Sequence, residues 1–420
     1  MKIIVTILLI LGVTLAILPP KVDVIPDSIV NTPEFYQRLG FFPPDLKDTG
    51  KAGQVTIGLD TSAYWHFKSQ DGNTNAPLIL CVAMGPGIPS FMDLTNGLGP
   101  IKSVIKHPSR NQYWLDNSHS LAMNADVIFI DMMKKGGYSR FISISGKSSI
   151  EKQNKIYFKH INHILIEELK IKKANHRKSL NLHGTGYTTK FFPGLYHLLS
   201  DDGYNVNGLS ISNPLFAPYY DIKGSYLFGA NNGLVGLDVL SEQEKAIEFL
   251  PVLSKSKDDG SARETKKLLD ILYGTKKIYK RENMLDMRDQ CMAYHKACLE
   301  MEYTRTVFIN NPRFQQVPKI YRTKFEVIDY AFSVNPWNSP MFNEDNTQEW
   351  IKLLDSGVKV LVTAGETNSF ASWYGTLLAL TTFNWKHRSL FQNENPKRFA
   401  NGFAKGAENL GFVKFDGAGY

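Results

Sequence analysis

Cysteine is scarce in this chain: Cys81, Cys291 and Cys298 are the only three in 420 residues. That count excludes a domain knitted together by disulfides and a cysteine-rich zinc module. No N-x-S/T tripeptide occurs, so N-glycosylation is not expected. Repeats and low-complexity segments are missing, as is any signature of DNA or RNA recognition. Long hydrophobic runs are confined to residues 1–20, and a mean hydropathy of −0.22 excludes a chain that crosses a membrane many times. Acidic excess is also lacking: 48 Lys and Arg against 40 Asp and Glu leave a formal charge of +8. The basic clusters, such as Lys172-Lys173 with Arg177-Lys178, fall in segments of helical pattern. They read as solvated faces, so no nucleic-acid partner is expected.

What is present is an ordinary globular composition, 43% hydrophobic and 21% charged, long enough for one large α/β domain or two smaller ones. Residues 1–20, with one lysine, an apolar run and Pro19-Pro20, read as a signal peptide or as an uncleaved signal anchor. Either places the rest of the chain in the secretory pathway, secreted or in a vacuole or lysosome. A membrane contact is expected only if that segment is retained. There Cys291 and Cys298 are close enough to clip a local loop, and Cys81, in Leu78-Ile79-Leu80-Cys81-Val82, reads as a buried, inert thiol.

Residues 21–52 read as a linker or leader, and 101–120 as loop and turn. Short apolar runs bounded by turns mark buried strands near 54–59, 63–68, 77–82, 125–131, 206–211, 358–364 and 411–415. Helical spacing marks 148–170, 347–356 and 371–383. A lysine-rich, helix-patterned stretch, 240–305, interrupts this rhythm and reads as an inserted cap. Strands alternating with helices imply a mostly parallel, doubly wound sheet, contributed by 53–239 and 306–420 on either side of the cap.

One stretch organises the rest. Leu180-Asn181-Leu182-His183 runs into Gly184-Thr185-Gly186 and then into a helix start at Pro193: strand, sharp turn, helix. In α/β-hydrolases that turn is the nucleophile elbow, G-x-S-x-G. Further stretches follow in order: Gly85-Pro86-Gly87 after the Cys81 strand, Leu98-Gly99-Pro100, Val127 to Asp131 with Gly137-Tyr138-Ser139, Asp286-Met287-Arg288 before Cys291, Gly365-Glu366-Thr367-Asn368, and Gly417-Ala418-Gly419-Tyr420. Together they resemble the serine carboxypeptidases, most closely the carboxypeptidase Y-like branch. The resemblance implies an α/β-hydrolase fold with a helical cap and no cofactor.

It also implies a Ser-Asp-His triad, and the matching positions hold Gly186, Asn368 and Tyr420. Glycine has no nucleophilic atom. Replacing the orienting aspartate by asparagine costs about 10⁴ in kcat in a serine protease. An unperturbed phenol titrates near about 10 and is a poor general base. The family's readers of a terminal carboxylate match Cys81, Ala83, Gly97 and Thr185, none of which presents the family's side chain. The oxyanion-hole positions, backbone at Gly85 and Tyr187, survive. The expectation is a catalytically inactive homologue whose partner is a peptide or protein. A hydrolase or acyltransferase with relocated groups is the rival, and its mark would be a serine, cysteine or threonine within reach of a histidine. The resemblance also implies a loop and helix beyond Tyr420, and their absence raises a third reading, the product of a decaying gene. His160 and His163 share a helix face without a carboxylate or cysteine to complete a ligand set, so no metal is expected. His183, three residues before Gly186, reads as a packed core histidine. The oligomeric state is not legible.

Overall fold

The alternation of apolar strands with helices builds one large sheet. The computed structural model describes residues 24–25, 50–82, 89–106, 111–132, 135–144, 148–171, 179–234, 241, 282–283, 286–290 and 345–419. Twelve strands form the main sheet: β1 Gly50–Ile57, β2 Asp60–Phe67, β3 Leu78–Val82, β4 Asp126–Asp131, β5 Lys135–Gly136, β6 Ser139–Arg140, β7 Leu180–Thr185, β8 Val206–Ser212, β9 Lys359–Gly365, β10 Lys397–Phe399, β11 Gly402–Ala407 and β12 Leu410–Phe415. Their order is β10-β11-β12-β9-β8-β7-β3-β4-β2-β6-β5, with β1 paired to β2. The run β12-β9-β8-β7-β3-β4 is parallel throughout, and the hairpins at either side are antiparallel. β3 and β7 are buried at every position, as strands covered on both faces must be.

Seven α-helices accompany the sheet among the described residues: α1 Ser90–Asp93, α2 Ile150–His163, α3 Phe192–Asp201, α4 Pro218–Asn231, α5 Thr347–Asp355, α6 Trp373–Thr382 and α7 Arg388–Asn393. Local chemistry sets their starts. Ser149 caps α2 by accepting from the Lys152 N–H at 3.2 Å, and Ser372 caps α6 by accepting from Tyr374 at 3.2 Å. Proline stands in the first turn of α3 and of α4, where its missing N–H costs nothing. Helices α2, α3 and α5 pack in one group, and α4 packs on α6. One continuous core joins them to the sheet, from Val55 and Leu80 through Phe192 and Trp350 to Phe412.

Two stretches differ from the sequence reading. Residues 101–120 contain strands Ile101–Lys106 and Asn111–Asp116, paired antiparallel from Ile101↔Asp116 to Lys106↔Asn111. Val24–Ile25, within the supposed linker, adds to that hairpin opposite Leu115 and Trp114. Short strands rich in lysine and polar residues carry little apolar signal, so only their pairing reveals them. Of the expected cap, 240–305, only 241, 282–283 and 286–290 are described; the rest, with Cys291 and Cys298, lies outside the described residues. Cys81 is a buried free thiol. Among the described residues no helix is long and apolar enough to cross a membrane.

Candidate functional site

The carboxyl ends of neighbouring parallel strands share one edge of the sheet, the place where open α/β sheets carry their ligands. Thr185 on β7 lies opposite Ser212 on β8, Ser212 opposite Thr363 on β9, and Gly365 opposite Phe415 on β12. The turns that follow β7, β9 and β12 therefore gather there. They carry Gly186, Asn368 and the segment running to Gly419. Tyr420 itself lies outside the described residues, as do Ala83 and Gly85.

Thr185 ends β7 in extended conformation, and Gly186 then turns with φ +58° into a 3-10 turn, Gly186–Lys190, that leads into α3. That φ belongs to the left-handed region, which glycine enters without a Cβ penalty. The strand-to-helix passage is also tight. A Cβ on Gly184 would come within 2.6 Å of Phe192 and 2.7 Å of Thr188. The Gly186 carbonyl accepts from Thr189 Oγ1 at 2.5 Å and from the Leu215 N–H at 3.3 Å. Helix α5 secures the same turn. Trp350 Nε1 donates to the Thr189 carbonyl at 3.1 Å, and Asn346 Nδ2 donates to the Lys190 carbonyl at 2.7 Å. Tyr187 is buried with its ring 5.6 Å from that of Phe191.

Asn368 is fully buried. Its Oδ1 accepts from the Ala371 N–H at 2.9 Å, which fixes the amide's orientation, and its Nδ2 has no hydrogen-bond partner. The neighbouring turn is strapped by the strand Asp286–Gln290. Met287 N–H donates to the Thr367 carbonyl at 3.0 Å, Thr367 Oγ1 donates to Asp286 at 2.9 Å, and Arg288 donates to the Gly417 carbonyl. Lys414, buried, bridges Glu366 and Asp416 and lies over the Trp373 ring. The strap thus joins the turn after β9 to the one after β12.

A second cluster lies beside the elbow. The Asp131 carboxylate takes both the N–H and the hydroxyl of Ser90, at 2.7 and 2.8 Å, and the Tyr138 N–H at 3.2 Å. Burial pushes its pKa up to about 7 against those hydrogen bonds. Asp93, three residues on in α1, is also buried; the Thr185 hydroxyl bonds its carboxyl, and its Oδ2 has no partner. Burial raises Asp93 well above the carboxylate range, opposed by Thr185 and reinforced by the charge of Asp131. The Cys81 thiol is likewise raised, by burial and by Asp93. Gly97, at φ +133°, offers its carbonyl to Asn117 Nδ2 at 2.6 Å.

Of the sequence candidates, Cys81 and Thr185 thus fall in one buried cluster with Asp93, while Gly97 is engaged by its backbone. Asp93 was not singled out from sequence. Its signal is a charged residue enclosed by Phe91, Met92 and Leu94.

Two histidines do find serines. His183 Nδ1 is 3.0 Å from Ser210 Oγ, its cross-strand neighbour, and its Nε2 has no partner. Burial pushes its pKa down to about 4. His160 Nδ1 is 2.8 Å from Ser62 Oγ, with its ring 4.9 Å from that of Phe141. Both pairs are buried in the core.

A family described as serine carboxypeptidase matches residues 45–420. A serine carboxypeptidase family member of Dictyostelium discoideum is 22% identical over 357 residues, covering 82% of this chain and 82% of that protein. A vacuolar serine-type carboxypeptidase of Saccharomyces cerevisiae is 23% identical over 381 residues, covering 84% of this chain and 69% of that one. The solved structure of a prohormone-processing carboxypeptidase from Saccharomyces cerevisiae superposes with a TM-score of 0.68 at 18% identity, over 91% of this chain and 89% of that one, a likeness of fold.

Proposed function

The chain belongs to the serine carboxypeptidase family, and from that premise we propose that it is a catalytically silent member, one that binds a peptide or protein in the family's cleft without cleaving it. The observation that carries this reading is Gly186: the elbow keeps its strand, its left-handed turn at φ +58° and its helix, and holds no hydroxyl at the apex. Acyl transfer through a serine needs that oxygen. Asn368 supports the same reading: its Oδ1 already accepts the Ala371 N–H, and an uncharged amide cannot balance an imidazolium as a carboxylate does. Loss of the carboxylate readers argues for a ligand not held by a free C-terminus. Each hydrogen bond to a charged group is worth about 1.5–3 kcal/mol, and Cys81, Ala83, Gly97 and Thr185 replace the set.

The site of action belongs to the same proposal. The apolar residues 1–20 and the vacuolar relative favour the secretory pathway, ending outside the cell or in a vacuole or lysosome.

The test is incubation of purified protein with a blocked dipeptide and a fluorophosphonate probe, beside an active carboxypeptidase. The expected result is neither turnover nor label from a protein that melts cooperatively. Turnover with a labelled residue would overturn the proposal. A second reading, a relocated nucleophile, is favoured by the 3.0 Å contact of His183 with Ser210. Against it, both groups are buried and no carboxylate orients the other ring nitrogen. Mass spectrometry placing the label on Ser210 would decide for it.

A further inference from the structure

Helices α4 and α6 lie side by side and run in opposite directions. Ser225, in the middle of α4, donates to the Ser369 carbonyl just before α6 at 2.7 Å, and Tyr220, near the start of α4, has its ring 5.9 Å from that of Phe383, just past the end of α6. Both belong to unbroken described stretches, 179–234 and 345–419. Each turns one side to the core, through Ile222 and Phe228 on α4 and through Ala379 and Leu380 on α6. The opposite side of a surface helix is ordinarily charged or polar. Here Tyr219, Tyr226 and Leu227 on α4 and Tyr374 and Leu378 on α6 are half exposed and stand outside the core cluster. Helix α6 has no charged residue from Trp373 to Thr382. The outward side of α4 carries one charge, Lys223, whose Nζ donates to the Tyr219 hydroxyl at 3.2 Å and lies over its ring. The charges beside this face are of one sign. From Thr367 to Asn393 the chain has no acid, and the bases Lys386 and Arg388 follow α6. Arg388 Nε donates to the Thr381 carbonyl at 3.2 Å, which keeps it against the end of α6. Lys386 is exposed; Asp355 accepts its N–H at 2.7 Å, and among the described residues no ion pair holds its ammonium.

We propose that this face of α4 and α6 docks on an anionic lipid bilayer, with both helix axes lying along its surface. Tyrosine and leucine without intervening charge suit the boundary between headgroups and acyl chains, where a ring buries its body and keeps its hydroxyl in water. Lys223, Lys386 and Arg388 supply the attraction to anionic headgroups, and no acid on α6 or on the outward side of α4 opposes it. Two antiparallel helices side by side offer a broad face rather than a groove, which fits a planar partner better than a peptide. The contact needs no membrane-spanning segment and does not depend on the chemistry of the cleft.

The test is flotation of the full chain with vesicles of phosphatidylcholine, alone or mixed with phosphatidylserine, at low and high salt. The wild type is expected to float with the mixed vesicles at low salt and to be released in part by high salt, which screens the basic side chains. Lys386→Gln is expected to weaken partition about fivefold, the effect of one cationic side chain near such a surface. Leu378→Asp is expected to weaken it roughly tenfold or more, through lost apolar burial and an added negative charge. Lys159→Gln, at an exposed lysine on α2, should leave binding unchanged. No flotation of the wild type at low salt would overturn the proposal. So would flotation that Leu378→Asp and Lys386→Gln leave as in the wild type, the mark of binding through another part of the chain. A wild-type dimer that Leu378→Asp separates, without flotation, would overturn it in favour of self-association. Should Leu378→Asp fail to melt cooperatively, Lys386→Gln, at an exposed position, decides against Lys159→Gln.

Discussion

A side chain at position 186 has to enter the left-handed region, so a serine placed there strains the turn. Gly186→Ser is expected to lower stability by about 1–2 kcal/mol, the cost of a non-glycine residue in that conformation. Urea denaturation of the two proteins measures it. On the proposed reading the substitution alone produces no peptidase activity, because Asn368 and Tyr420 would still stand at the other two positions that the family resemblance implies. Asn368→Asp isolates the second position. The new carboxylate keeps the Ala371 N–H but places an oxygen where the present Nδ2 finds no partner. It is expected to melt below the wild type at pH 7.5, and closer to it at pH 5, where a buried acid regains its proton. An equal deficit at both pH values would mean that the loss is steric. These consequences follow from residue types and were open to sequence reasoning. The role of Asp93 was not, because its partner Thr185 is 92 positions away (185 less 93) and only the register of β3, β4 and β7 brings them together.

Helices α4 and α6 touch backbone to backbone. A Cβ on Gly224 would come within 2.5 Å of the Gly375 main chain, and one on Gly375 would collide with the Tyr220 carbonyl. Alanine raises helix propensity by about 1 kcal/mol over glycine, but overpacking against a fixed backbone costs typically 1–3 kcal/mol. Gly224→Ala and Gly375→Ala are therefore both expected to lower the melting temperature. The double variant should lose less than the sum, since one separation of the helices accommodates both methyls. The central strands were legible in sequence because burial on both faces writes them as unbroken apolar runs: Leu78–Val82 and Asp126–Asp131 lie where the pattern placed them. Helix α4 was not legible. Its tyrosines and glycines give no amphipathic period, and its packing surface is the absence of side chains at Gly224. The 101–116 hairpin was missed for a related reason, since its lysines break the apolar run.

Across the whole molecule, buried acids and buried histidines pull stability in opposite directions over the same pH range. Burial pushes Asp131 and Asp221 up to about 7 and Asp93 well above its ordinary range. A carboxyl whose folded pKa is raised binds its proton more tightly when folded. Its contribution is fully present below the unfolded value of about 4 and is lost as pH rises through the folded one. Burial pushes His160 and His183 down to about 4. A histidine held neutral contributes fully above its unfolded value of about 6.5 and loses that contribution as pH falls toward the folded one. Between about pH 4 and 6.5, then, two histidines favour higher pH while three acids favour lower pH, so the slopes offset in part and a shallow fall with rising pH remains. Above that window the histidines are neutral in both states and contribute no slope. Asp131 and Asp221 are half titrated near 7, and Asp93, held up by burial, adds to the same acid-favouring slope. The expected stability profile is a shallow decline through mildly acidic pH that steepens between about 6.5 and 7, once the histidines no longer oppose the acids. Thermal melts of the wild type at half-unit steps from pH 4.5 to 8.5 would show it, and Asp93→Asn, which leaves two acids against two histidines, should flatten the acidic part of the profile. A melting temperature that climbs steadily through pH 7 and 8 would mean that the acids are not held neutral in the folded chain. The groups that set this profile lie outside the positions the resemblance gives to a catalytic triad, so the profile does not depend on whether the cleft is catalytic.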